Sequence, residues 1–495
     1  MTDIAILKPA WKDAVYHDHQ EYGIRWMIEC EQKGYPIANT DKFVRGGILG
    51  DKMGVGKTIQ SIGLIVNGDG LNTLVVTPLA VRGQWESEFR RSDVNLYLPT
   101  QWGGTWRHQG SVIPGRKTVY LAHYDKIASK PELCKGALYD RMILDEAHTI
   151  RNAATKKAQS ILNIAEAVKY KWALTGTPIT NGMDDCTTYL KFIGFPTAPG
   201  KKWQESYTEW AQNIYLSRRL TECPLKGDSI IPPTPMEEVR HLDFTSKDEE
   251  AVYSGILKNE ESKWRDASAL EGKAYILEMF AILLRLRQVS VNPQIYIKAR
   301  RKEAFGWSGP EFNNVSRKFD EVSHLLRDAH EAGEAHKWIV FCQFHEEMVL
   351  MEAFLKAHSF VGQILQYHGG LSMKEREAAL KESKSMPEVN GSKQDVFLIQ
   401  LKAGSTGLNL QQYDRIIFVS PWWTPSEMEQ AKARAVRIGQ KRVVKIYQLQ
   451  LRTEQGFNID KFMMDKVFQK KELGDMFESW SVHLKPDDTE IVSTP

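Results

Sequence analysis

The chain has 495 residues, 42% of them hydrophobic and 26% charged, a balance that excludes a mainly disordered or fibrous protein. At roughly 100–200 residues per domain it is too long for one hydrophobic core and implies about two to four domains, while no apolar run approaches the roughly 18–20 residues needed to span a bilayer. Lys plus Arg number 65 against 62 Asp plus Glu, so a net charge of +3 announces no nucleic-acid binder, and any basic groove must come from local placement.

The N-terminal stretch MTDIAILKPAWKDAVYH has no basic segment followed by an apolar one, so no secretory signal is expected. The five cysteines, Cys30, Cys134, Cys186, Cys223 and Cys342, form no C-x-x-C pair. Neither a zinc ribbon nor a RING module is therefore expected, and the thiols suit a reducing, intracellular compartment, most of them as small core residues.

Along the chain, short aliphatic runs end in small or polar turns and give way to helical periodicity. Leu74-Val75-Val76, Met142-Ile143-Leu144, Ile339-Val340-Phe341, Val396-Phe397-Leu398-Ile399 and Ile416-Ile417-Phe418-Val419 are such runs. They predict buried parallel strands in an α/β fold, with ligands at the strands' carboxyl ends. The runs fall into two groups, about 45–180 and 336–450. Between them, 187–315 holds Pro-rich turns and long helices. The clearest helix spans about 270–290, with Ile276, Phe280 and Leu284 as its apolar stripe, and stops near Asn292-Pro293. The expected division is 1–186 and 316–450 as parallel-sheet lobes, 187–315 as a helical insertion and linker, and 451–495 as a helical brace with a frayed tail.

Residues 46–66, GGILGDKMGVGKTIQSIGLIV, carry the strongest local signal. An apolar run enters a glycine-rich turn, Asp51-Lys52-Met53-Gly54-Val55-Gly56, and a helix follows from Lys57-Thr58. Glycine N–H groups and a helix N-terminus cradle phosphate, Lys57 reaches the β- and γ-phosphates of ATP, and the Thr58 hydroxyl suits Mg2+. Asp51 stands where the strict phosphate-loop pattern has glycine. At Met142-Ile143-Leu144-Asp145-Glu146-Ala147-His148 a strand ends in paired carboxylates: Asp145 to hold Mg2+, and Glu146 to orient and deprotonate water. Leu174-Thr175-Gly176-Thr177-Pro178-Ile179 adds a hydroxyl-bearing turn.

These three segments in this order resemble a superfamily 2 motor, specifically a Swi/Snf-type DNA-dependent ATPase, from about Tyr16 to Leu449. The resemblance implies two RecA-like lobes. It makes Gln20 an adenine ligand, Val75-Val76-Thr77-Pro78 through Gln84-Trp85 a nucleic-acid contact, and Phe341-Cys342-Gln343-Phe344 a fourth motif. Lys402-Ala403-Gly404-Ser405-Thr406-Gly407 and Pro421-Trp422-Trp423-Thr424-Pro425 through Arg434, Arg437 and Gln440 complete the signature. Arg437, with Arg434 three residues away on one helix face, is implied as the arginine finger, and Gln440 as a further nucleotide contact. The segment 284–293, LRLRQVSVNP, resembles the DNA-repair branch, without its RING; the chain resembles minimal viral and fungal members.

Departures from the family pattern are Lys52 for an acid, Ser420 for Asp, Thr424 for Asn, and Ala433 and Val436 for Asp and His. The implied partner is double-stranded DNA, with nucleosomes or other DNA-bound proteins as targets, no membrane and no zinc. The implied location is the nucleus. Candidate phosphate-backbone contacts are Arg82, Gln84, Trp85 and Tyr124 on the first lobe, and Lys402, Ser405, Thr406 and Trp423 on the second. One of Trp422 and Trp423 is expected in the core. The run Lys298-Ala299-Arg300-Arg301-Lys302 reads as a DNA-facing patch, a nuclear signal or a solvated helix end. A duplex translocase is the main reading. A strand-separating helicase on DNA or RNA and a non-catalytic DNA-bound scaffold are the alternatives.

Overall fold

The structure is a computed structural model that describes residues 6–37, 40–101, 104–134, 139–178, 185–195, 207–223, 225–226, 231–267, 272–303, 311–385, 393–404, 408–453 and 457–478. The chain divides into two compact units, Met1–Ile231 with Lys470–Pro495, and Pro232–Gln469. Among the described residues no helix is long and apolar enough to cross a membrane.

In the first unit a short antiparallel pair, β1 (Tyr35–Pro36) and β2 (Phe43–Val44), precedes an eight-stranded sheet. Its strands are β3 (Gly46–Leu49), β4 (Asn72–Thr77), β5 (Val94–Pro99), β6 (Trp106–His108), β7 (Lys117–His123), β8 (Arg141–Asp145), β9 (Tyr170–Leu174) and β10 (Tyr215–Leu216). They lie in the order β10-β3-β9-β8-β4-β7-β5-β6, all parallel except the β5–β6 edge. Successive residues feed opposite cores: Leu74, Val76, Met142 and Leu144 enter one apolar cluster, Val75 and Ile143 the other. A sheet covered on both faces needs this run of apolar residues rather than an alternation. Arg141, at the start of β8, is wholly buried, and Glu31 neutralises it. The Glu31 Oε1 accepts from Arg141 Nε at 2.6 Å and from Trp172 Nε1 at 2.9 Å.

The second unit holds six parallel strands, β11 (Met236–Leu242), β12 (Lys337–Cys342), β13 (Val361–Tyr367), β14 (Gln394–Gln400), β15 (Arg415–Phe418) and β16 (Lys445–Leu451), in the order β11-β16-β15-β12-β14-β13. Each aliphatic run singled out in the sequence lies in a buried strand or, for Val419, just beyond one.

The segment 187–315 does not stand apart. Its first part returns to the first sheet as β10, and β11 edges the second sheet. Helices Lys247–Ala267, Gly272–Val291 and Pro293–Glu303 give Tyr253, Leu257, Ile282, Leu286 and Ile295 to the cluster that holds Trp338 and Val340. Helix Gly272–Val291 ends before Asn292-Pro293 as expected, but its buried stripe is Met279, Ile282, Leu283, Leu286 and Val289. Phe280 and Leu284 are 61% and 38% exposed. A helix apolar almost all round offers two stripes, and periodicity does not choose between them. The basic run is a paired helix end: Lys298 and Lys302 meet Glu346, Arg300 meets Glu303, and Arg301 meets Glu311. The tail beyond 478 lies outside the described residues.

A buried lysine ties this unit together. Lys318 Nζ donates to Ser420 Oγ at 2.7 Å and to Ser290 Oγ at 3.1 Å, and pairs with Asp460 Oδ2 at 2.6 Å. Asp460 also accepts from Ser290 Oγ and from the Leu451 N–H. The carboxylate missing at Ser420 is thus supplied by Asp460 from helix Ile459–Glu478.

Glu347, wholly buried, accepts from the Gln343 and Phe344 N–H groups at 2.7 and 3.1 Å. Burial pushes its carboxyl up to about 7. The folded chain therefore holds this proton where the unfolded chain has lost it, and the group's contribution to stability falls as pH rises through about 4.5 to 7. Glu347→Gln keeps an acceptor and removes the titration. The unfolding midpoint at pH 8 is expected to rise, by up to about 3 kcal/mol in stability, and its decline between pH 5 and 8 to flatten, in thermal melts across that range.

Candidate functional site

The three motifs of the first unit meet at one sheet end. Register places Leu49 of β3 opposite Leu174 of β9, and Leu174 opposite Asp145 of β8. The segments that follow these strands are the glycine-rich turn, the Thr175-Gly176-Thr177 turn and the Asp145–Glu146 pair. They emerge side by side, where parallel sheets bind ligands.

The turn closes on helix Lys57–Asn67 with Gly56 at φ 100°, and a Cβ there would come within 2.5 Å of Gln20 Nε2. Only glycine fits both constraints. Lys57 Nζ donates to the Asp51 carbonyl at 2.6 Å, and Lys52 Nζ to the Gly176 carbonyl at 3.1 Å, so the two turns interlock. The Thr175 N–H extends the β3–β9 ladder to Leu49 O, and the buried Thr177 Oγ1 has no hydrogen-bond partner among the described residues. Met53, Gly54, Lys57 and Thr58 remain partly exposed, and Val55 is buried.

Asp145 is buried at the tip of β8. Burial first, and then the charge of Glu146, push its carboxyl up to about 6, against the pull of the Trp85 hydrogen bond and the Lys57 ammonium. Glu146 stands in the left-handed region at φ 49°, the one described non-glycine residue with positive φ, and its Oε2 lies 3.3 Å from His148 Nδ1. Strain of this kind persists where surrounding structure enforces it. The donor set fits Mg2+: a hydroxyl at Thr58 and a desolvated carboxylate at Asp145 are hard oxygen ligands, and a dication offsets two adjacent acids.

Several expected contacts serve the fold instead. Trp85 and Tyr124, expected on the nucleic-acid track, are each 1% exposed. The Trp85 indole donates to Asp145 Oδ2 at 2.7 Å and the Tyr124 hydroxyl to Asp145 O at 2.8 Å, so both brace Asp145 and have no surface for a duplex. Arg82 and Gln84, on the outer side of helix Leu79–Arg91, are partly and fully exposed. The buried Asp51 carboxylate receives Arg218 Nη2 at 2.6 Å, Arg218 Nε at 2.9 Å and Gln60 Nε2 at 2.9 Å, so it faces inward. Gln20 caps its own helix and donates to Val55 O at 3.2 Å, beside His19 Nε2 at 2.9 Å from the same oxygen.

In the second unit Gln440 is buried, donating to Gln411 O and Tyr413 O and accepting from the Arg442 N–H, so its amide is turned into the fold. Helix Pro425–Lys432 stops before Arg434 and Arg437, so they share a run of tight turns rather than a helix face. Burial holds the Arg437 guanidinium below its usual value, and no carboxylate among the described residues is ion-paired to it. Trp422 is the core tryptophan and Trp423 is half-buried, while exposed Lys402 lies 5.8 Å above the Trp422 ring. Ser405 and Thr406 lie outside the described residues.

Sequence reasoning missed Arg218. No motif marks it, and it acts on Asp51 from 167 residues away. Arg218→Met leaves a buried carboxylate without its cation. It is expected to destabilise the first unit by about 3–5 kcal/mol, read as a lowered unfolding midpoint, with partial recovery when Asp51→Asn is added.

Comparison with known proteins follows this geometry. The SNF2-related domain model matches residues 19–295 and the helicase conserved C-terminal domain model residues 317–439. The chain is 26% identical to a probable global transactivator of Orgyia pseudotsugata multicapsid polyhedrosis virus, over 92% of this chain and 89% of that one. It is 25% identical to the putative ATP-dependent helicase/translocase YwqA of Bacillus subtilis, over 90% of this chain and 47% of that one. It is 26% identical to the chromatin structure-remodeling complex subunit snf21 of Schizosaccharomyces pombe, over 87% of this chain and 37% of that one. The chain thus spans nearly all of the viral relative and less than half of the other two. Because the first model accounts for more than half of the chain and the second for four of the six strands of the other sheet, this chain belongs to the SNF2-related family of ATP-dependent, helicase-type enzymes.

Proposed function

We propose that the chain is a DNA-dependent ATPase that moves along duplex DNA and remodels protein–DNA complexes, nucleosomes among them. The observation that carries the reading is the row Leu49–Leu174–Asp145, which aligns a phosphate turn, a coupling turn and a carboxylate pair. In this reading the turn 51–56 and the helix N-terminus hold the phosphates, and Lys57 leaves the Asp51 carbonyl for the γ-phosphate. Thr58 and Asp145 hold Mg2+, which when bound balances the charge of the triphosphate. Glu146 orients the attacking water and takes its proton, and His148 steadies Glu146. Arg437, with Arg434 beside it, is the candidate arginine finger.

Lys402 and Trp423 form the duplex contact of the second unit, a reading supported by an exposed lysine at 402 and a half-buried indole at 423. Such contacts position the strand without reading its sequence. A nuclear location and chromatin as substrate rest on the fission-yeast relative's name.

The test is ATP turnover with and without duplex DNA. Duplex is expected to stimulate the wild type, and Glu146→Gln to lose about 10²–10⁴-fold in turnover while still binding ATP. Stimulation by single strands alone turns the reading to a strand-separating helicase, and absence of turnover under every condition to a scaffold. Lys402→Ala is expected to weaken duplex binding equally for all sequences and to lower the log–log salt slope by about 1, in titrations from 50 to 200 mM salt.

A further inference from the structure

Arg287 belongs to none of the roles above. It lies near the end of helix Gly272–Val291, in the segment 284–293 that the motor chemistry leaves unexplained. Its guanidinium sits 5.0 Å from the Trp422 ring centre, 5.1 Å from that of Trp423 and 5.8 Å from that of Phe344. Its Nη2 donates to Gln343 Oε1, and Gln343 Nε2 donates onward to the Pro421 carbonyl at 2.7 Å. The same cation therefore touches the turn after β12 through Gln343 and Phe344, and the turn that carries Trp422-Trp423. Burial draws its pKa down to about 10, so it remains charged at neutral pH.

Two properties of this arrangement matter. A planar guanidinium can lie against an indole and donate hydrogen bonds in its own plane with a fixed fork geometry, whereas an ammonium is a compact point charge with no plane to match to the ring. Trp422 is packed in the core, while Trp423 is half-buried. Arg287 thus lies as close to the half-buried ring as to the buried one. Lys402, above Trp422, falls in the same neighbourhood.

We propose that Arg287 is a positioning residue for duplex DNA: set against the Trp422 and Trp423 rings and tied to Gln343, it fixes the orientation of Trp423 as a contact surface. This rests on the reading of Trp423 as a DNA contact.

The experiment is a double-mutant cycle on the full chain, with a fluorescently labelled duplex followed by anisotropy. Arg287→Lys is expected to weaken binding roughly two- to thirtyfold, the range from an exposed to a desolvated cation–aromatic contact. Trp423→Ala should weaken it at least as much. The double variant should bind no worse than Trp423→Ala alone, because Arg287 has then nothing left to position. Gln343→Leu cuts the hydrogen-bonded tie while leaving both rings, and should weaken binding only when Trp423 is present. It decides the matter if Arg287→Lys fails to fold. Multiplicative losses in the double variants overturn the proposal, as do unchanged affinities in Arg287→Lys and Gln343→Leu. An unchanged affinity in Trp423→Ala overturns the DNA-contact reading itself.

Discussion

The proposed nucleotide site depends on one buried ion pair. Asp51 occupies a position where a phosphate loop ordinarily has glycine, and a carboxylate there is tolerable only if it is neutralised away from the phosphate. Arg218 does this through two nitrogens, and a third nitrogen reaches the His19 carbonyl. Gln60 joins both members of the pair. One guanidinium thereby holds the glycine-rich turn, the helix after it and the helix that carries Gln20. Charge-assisted bonds in a dry setting are stiff, which suits a loop whose amides must already point at phosphate before it arrives.

What the sequence revealed follows from how many chain segments a feature needs. Parallel strands and the phosphate turn are local: apolar runs, glycines and a Lys-Thr pair within about twenty residues state them. The carboxylate pair is local as well. What stayed hidden is what distant segments decide. Trp85 looked like a DNA contact because the segment from Val75 to Trp85 resembles the family's nucleic-acid motif, yet its indole turns inward to Asp145, a residue 60 positions away. Gln440 looked like a ligand and closes a turn onto Gln411 and Tyr413. Helix Gly272–Val291 was legible as a helix but not as to its buried face, because Phe280 and Leu284 are as apolar as Ile282 and Leu286.

The second unit repeats the logic of the first with different residues. Lys318 is a buried charge neutralised by a late segment, as Asp51 is by Arg218. Ser420, which departs from the family's acid, is no loss, because Asp460 brings the carboxylate and Ser420 keeps the hydrogen bond. The turn holding Trp422 and Trp423 is thus anchored on one side by Lys318 and on another by Arg287 and Gln343. A rigid frame of this kind is what lets a half-buried aromatic present one face reproducibly.

Both units are also closed by segments that leave the ribosome late. β3 gains its second neighbour, β10, and Asp51 its cation only when the chain has grown by a further 167 residues, roughly 10–30 s at ordinary synthesis rates. In the second unit β11 is made first and its only sheet partner, β16, is made last. Each nascent sheet therefore spends its synthesis with an open edge, and neither can lock until its own final strand has emerged. For this chain the pace of translation sets how long unpaired strand edges are exposed to other chains.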